Sequence, residues 1–117
     1  MSILAWNCRG IGPALTSSEL KRHIQTRHPS FLFLSETKND TSIVRTKLND
    51  VGFFSHEIVD RVDTKGDLAF AWESTLKCHC LFSFEFAVGI RWCLPNNNST
   101  YLIGVYLKHL WGSRTTT

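Results

Sequence analysis

The feature that most constrains this chain is a change of periodicity near its middle. Up to Gly52, short apolar runs alternate with segments of helical spacing; from Phe53 on, every apolar segment reads as a strand. A strand–helix–strand passage makes its two strands parallel, whereas the later hairpins are antiparallel. The order β-α-β-α-β-β-β-β-β therefore predicts an α/β (α+β) fold with a mixed sheet and two helices. At 117 residues the chain has room for a single domain, since domains run about 100–150 residues.

Ser2–Asn7 reads as a strand with Ile3, Ala5 and Asn7 on one face and Leu4 and Trp6 on the other. Apolar residues on both faces predict a strand covered on both sides. After the loop Cys8–Pro13, Thr16 as N-cap and Glu19 three residues later form a capping-box pattern, with Leu15 and Leu20 as a hydrophobic staple. Leu20 and Ile24 mark the buried face, and Pro29 pushes His28 out of helical geometry. Phe31–Leu34 is a buried strand ending in Ser35-Glu36-Thr37-Lys38. A second helix runs from about Thr41 to Val51, with Val44, Leu48 and Val51 at i, i+4, i+7 and Gly52 as its stop. Strands are expected at Phe54–Asp60, Leu68–Trp72, Lys77–Phe82, Phe86–Leu94 and Tyr101–Tyr106. The turn Asp63–Gly66 and the hairpin connection Pro95–Ser99 join them. The domain is expected over residues 1–110, with residues 111–117 a frayed polar tail.

Composition removes several classes. Hydrophobic residues at 43% and charged residues at 20% match an ordinary globular chain, not a disordered, collagenous or coiled-coil one. No apolar run approaches the roughly 20 residues of a membrane span, and Asn7, Cys8 and Arg9 interrupt any signal-peptide pattern. A formal charge of +3 permits nucleic-acid contact without requiring it. The four cysteines, Cys8, Cys78, Cys80 and Cys93, contain no C-x-x-C pair, and Cys78-His79-Cys80 is too tight for a zinc pair. They read as reduced thiols of an intracellular protein. The five histidines are scattered among unlike elements and form no metal-binding spacing.

The first β-α-β unit is where chemistry concentrates. Parallel strands bring Asn7, at the end of the first, and Glu36, at the end of the second, to the same carboxyl edge, where open α/β sheets place ligands. A carboxylate there is a hard oxygen ligand suited to Mg²⁺. The Asn7 amide can bond a phosphate oxygen, and Arg9 adds positive charge in the same loop.

Trp6-Asn7-Cys8-Arg9-Gly10 followed by Ser35-Glu36-Thr37-Lys38 resembles the start of the endonuclease/exonuclease/phosphatase superfamily, whose members have the DNase I-like fold. The closer resemblance is to the endonuclease domain of plant LINE-type (non-LTR) retrotransposons. Gly52-Phe53, Gly66-Asp67-Leu68-Ala69-Phe70-Ala71-Trp72 and Leu102-Ile103-Gly104-Val105-Tyr106 resemble further motifs of that group, in the expected order from about Ser2 to Tyr106. The resemblance implies a layered two-sheet sandwich, DNA as partner, a nuclear site of action and a Mg²⁺-activated water attacking a phosphodiester. It implies catalytic roles for Asn7, which would orient the phosphate or the nucleophile network, Glu36, which would ligate Mg²⁺, and Tyr106, a hydrogen-bond donor near the scissile phosphate. Arg9 would contact the nucleic acid.

The family's Gly-Asp-Phe-Asn and Ser-Asp-His motifs, which supply further catalytic residues, have no counterpart here. A truncated, catalytically incomplete endonuclease domain with weak or absent Mg²⁺ binding is therefore the first expectation. An active phosphodiesterase using Asp60, Asp63 or Asp67, and a non-catalytic nucleic-acid or protein-binding module, are the alternatives. A sheet face without its partner layer would expose Phe82, Phe84 and Phe86 and invite association.

Overall fold

The computed structural model describes residues 2–59 and 66–106. Its elements are β1 (Ile3–Asn7), α1 (Ala14–Arg27), β2 (Phe31–Asn39), α2 (Thr41–Asp50), β3 (Ser55–Val59), β4 (Gly66–Trp72), β5 (Lys77–Phe84), β6 (Ala87–Cys93) and β7 (Ser99–Val105). They form two sheets, a mixed four-stranded one in the order β1-β2-β4-β3 and an antiparallel one in the order β5-β6-β7. The parallel pair is β1 with β2, in the register Ile3↔Phe31 to Asn7↔Ser35.

Strand alternation separates two cores. Leu32, Leu34, Ala69 and Ala71 pack with Leu20, Val44 and Leu48 of the helices, and Leu4 and Trp6 join them from β1. On the other face Phe31, Phe70 and Trp72 meet Val88, Ile90 and Trp92 of the second sheet. The layers are helices, mixed sheet, antiparallel sheet. Trp72 and Trp92 fill the inter-sheet core and are not base-stacking platforms.

Four strands lie over three. Phe33 of β2 contacts β7 so closely that a Cβ on Gly104 would stand 2.5 Å from its ring. β1 lies one strand farther out, and its inter-sheet residues Ile3 and Ala5 are exposed, Ile3 to 46%. This corrects the expectation that β1 is covered on both sides: only the Leu4–Trp6 face is packed.

The helix α1 begins at Ala14 with Pro13 as N-cap, without a side-chain cap hydrogen bond. The Thr16–Glu19 capping box and its staple therefore do not form, and Leu15 is 73% exposed. Pro13 presets the entry and Ala14 and Leu15 favour helix, which moves the start upstream of Thr16. At the other end His28 takes a left-handed conformation, φ 47°, and its N–H donates to the Ile24 carbonyl. The second helix stops at Asp50, followed by Gly52 at φ 89°, a backbone that favours glycine. The expected strand ends shift by two residues at most, except in the strand at Phe31, which extends by five. Asp60 and Asp63 lie outside the described residues, as do the tail and the turn before Gly66.

Candidate functional site

The strand β2 was expected to stop at Leu34 but runs to Asn39, with its pairing to β4 interrupted between Ser35 and Asn39. The cause lies in the backbone: Glu36 and Lys38 both have left-handed φ, 55° and 51°. That stretch pairs instead with the loop after β1. Cys8 N–H donates to the Ser35 carbonyl at 3.0 Å, Gly10 N–H to the Glu36 carbonyl at 2.6 Å, and Ile11 N–H to the Thr37 carbonyl at 2.9 Å. The Cys8 thiol adds contacts to the Ser35 carbonyl (3.2 Å) and the Glu36 carbonyl (3.7 Å). Glu36 thus sits inside an irregular strand and not at a strand end, yet it still stands beside Asn7. Positive φ in a non-glycine residue is a strained backbone, retained where surrounding contacts over-determine it.

Three elements converge on the Glu36 carboxylate. The Asn7 amide donates to Oε2 at 3.1 Å. The Tyr106 hydroxyl donates to the same oxygen. The Lys38 ammonium lies 3.5 Å from Oε1, and the Glu36 side chain is only 13% exposed. Tyr106 follows the last residue of β7 and does not belong to the strand; its N–H donates to the Phe86 carbonyl at 2.8 Å, which fixes it beside the turn into β6. Asn7 is itself oriented, because its Oδ1 accepts the Arg9 N–H at 3.2 Å. That leaves the amide nitrogen aimed at Glu36.

Sequence spacing had separated these residues by 29 and 70 positions; the topology closes both gaps. Arg9 is exposed in the adjoining loop at φ 50°, without a side-chain bond to the Glu36 group among the described contacts. Lys38 and Cys8 were not picked out from sequence. Lys38 had a signal, since it is two residues from Glu36. Cys8 had none, because its role depends on the curl of β2.

A hard cation is commonly held by one or two carboxylates, with water and substrate phosphate completing six oxygens. The Glu36 carboxylate, flanked by an amide and a phenol, fits that sparse mode. Among the described residues no three His, Cys, Asp or Glu side chains group closely enough to cage a metal on their own. No helix among the described residues is long and apolar enough to cross a membrane. The cysteines carry no disulfide among the described residues.

No protein-family model matches the chain, and no curated protein matches it. Solved structures do. An AP endonuclease from Leishmania major superposes with a TM-score of 0.59 at 19% identity, over 89% of this chain and 39% of that one. A 3′ phosphatase from Neisseria, bound to a product DNA hairpin, superposes with a TM-score of 0.62 at 18% identity, over 91% of this chain and 41% of that one. The two-helix, mixed-sheet architecture is the α/β fold of these DNase I-like enzymes. The chain spans well under half the length of either neighbour.

Proposed function

We propose that this chain carries the Asn7–Glu36–Tyr106 part of a Mg²⁺-dependent phosphodiester-cleaving site acting on DNA, and that it is catalytically incomplete by itself. The observation that carries the reading is the convergence of Asn7 and Tyr106 on one oxygen of Glu36. The fold shared with two DNA-acting enzymes supports it. The finer assignment, to the endonuclease domain of a LINE-type retrotransposon of plant type working in the nucleus, rests on the ordered motifs from Trp6 to Tyr106.

Bound at Glu36, Mg²⁺ would supply Lewis-acid polarisation of a phosphoryl oxygen and neutralise developing charge. The chain's own residues do the positioning. Asn7 and Tyr106 hold the Glu36 carboxylate in place through Oε2, and that carboxylate would be the ligand for Mg²⁺. When a phosphate arrives, the second N–H of the Asn7 amide is a donor at hand for its oxygens, whereas the single proton of the Tyr106 hydroxyl must leave Glu36 to reach them. Arg9 extends from the neighbouring loop as a phosphate contact. The described side chains that converge on Glu36, those of Asn7, Tyr106 and Lys38, supply no carboxylate or imidazole as base for the attacking water, and general acid–base help is worth about 10²–10⁴-fold.

The test uses Mn²⁺ as a paramagnetic stand-in for Mg²⁺ and supercoiled plasmid as substrate. Mn²⁺ should broaden the NMR signals of Asn7, Glu36 and Tyr106 in the wild type and not in Glu36→Ala. Plasmid nicking should stay at the level of Glu36→Ala. Absence of broadening at these residues would sink the metal-site reading; robust nicking that Glu36→Ala abolishes would overturn the incompleteness and make the chain an active nuclease.

A further inference from the structure

The outer face of the antiparallel sheet is a charged feature away from Glu36. Its inward side is settled by the core: Cys78, Val88, Ile90, Trp92 and Leu102 face the mixed sheet. Alternation then puts Lys77 and His79 of β5, Arg91 of β6 and Tyr101 of β7 together on the outward side. Cross-strand register confirms the row, with His79 opposite Arg91 and Arg91 opposite Tyr101. Lys77, His79 and Arg91 are exposed, and Tyr101 is 61% exposed.

Charge on this face has one sign. The three strands, Lys77–Phe84, Ala87–Cys93 and Ser99–Val105, contain no Asp or Glu. Among the described residues neither Lys77 nor Arg91 forms an ion pair. Arg91 is held, since its Nε donates to Ser99 Oγ at 3.2 Å, and it remains exposed. Lys77 and Arg91 also border an open cleft of about 540 Å³ that Trp92, Asn97 and Ser99 help to line. A sheet face with an exposed aromatic ring on its edge strand and cations on the two strands beside it suits a nucleic acid whose bases are free to stack.

We propose that this face binds single-stranded nucleic acid, with Lys77 and Arg91 on the phosphates and Tyr101 stacking on a base. The face is separate from the Glu36 group. Tyr101 precedes Tyr106 by five residues, roughly 17 Å of strand. The proposal goes beyond the reading of Glu36 as a metal ligand and does not depend on it.

The probe is fluorescein-labelled oligothymidylate of about 12 nucleotides, inside the roughly 4–16-nucleotide footprint of such sheet platforms. Fluorescence anisotropy on the whole chain follows binding from about 50 to 200 mM salt. Wild type should bind, with each of Lys77→Gln and Arg91→Gln reducing the salt slope by about 0.7. Tyr101→Ala should weaken binding by roughly 5- to 100-fold with the salt slope kept. Lys21→Gln, an exposed cation on α1, should bind as wild type does. Circular dichroism checks that each variant is folded, and Tyr101→Phe, which keeps a stacking ring, should restore binding. Absence of binding by the wild type, preference for a duplex of the same length, or binding unaffected by Arg91→Gln and Tyr101→Ala would each overturn the proposal. So would an equal loss of binding in Lys21→Gln, which would place the oligonucleotide on the helix face.

Discussion

A hydroxyl shared between Tyr106 and Glu36 ties the last described strand to the second one. Hydrogen bonds to charged groups are worth about 1.5–3 kcal/mol, and Glu36 keeps its Asn7 donor when the phenol is gone. Tyr106→Phe should therefore lower the unfolding free energy by about 1–2 kcal/mol in urea melts; an unchanged midpoint would mean that the contact adds nothing to stability. Ionisation at Cys78 sets a different test. Burial first, and the neighbouring Cys93 second, raise its pKa from 9.0 to about 11. Below pH 9 the thiol is neutral in both folded and unfolded chains; between pH 9 and 11 the unfolded chain releases its proton and the folded one does not. Stability is thus lost as pH rises through that window, and Cys78→Ala should flatten the fall in Tm relative to wild type. A fall equally steep in the variant would remove Cys78 as its source.

Among the elements, β7 shows how closely the layers are fitted. Its Gly104 lies against the Phe33 ring with no room for a side chain, so the sheets approach only because a glycine faces a phenylalanine. Overpacking of a fitted core costs about 1–3 kcal/mol. Gly104→Val should lower the thermal midpoint and weaken the Tyr106–Glu36 contact with it, because β7 positions Tyr106. Combining Gly104→Val with Phe33→Ala should recover part of that loss in a double-mutant cycle; strictly additive effects would show that the ring is not the obstacle. The irregular end of β2 teaches a related point. Its curl is held by main-chain bonds from the Cys8–Ile11 loop, so the site's shape belongs to a pair of segments and to neither alone.

At the scale of the whole molecule, the antiparallel sheet is the outermost layer among the described residues, and its outer face leaves apolar surface uncovered. Phe84, Ile103 and Val105 are 47%, 61% and 47% exposed on the outer face of the antiparallel sheet, beside the basic row. Phe84 and Phe86 are exposed, at 47% and 46%, yet not on an inner face without its partner as expected, because that face packs against the mixed sheet, and Phe82 is shielded over Gly89. Such a patch favours association. Phe84→Ser together with Ile103→Thr should raise the concentration at which light scattering detects oligomers, and an unchanged threshold would exonerate this face. What the sequence determined by itself was the order of elements, the two-helix α/β class and the candidates Asn7 and Glu36, since periodicity and strand phase are local properties of the chain. The capping box at Thr16 misled because helix entry answered to Pro13 and the packing of Leu20. The motif resemblance already implied two sheets and Tyr106; tertiary structure alone decided the exposure of Ile3, the curl that inserts Glu36 into β2, and the bond by which Tyr106 reaches it from 70 residues away. Those depend on which strand faces which across an inter-sheet core, and no local pattern of side chains encodes that pairing.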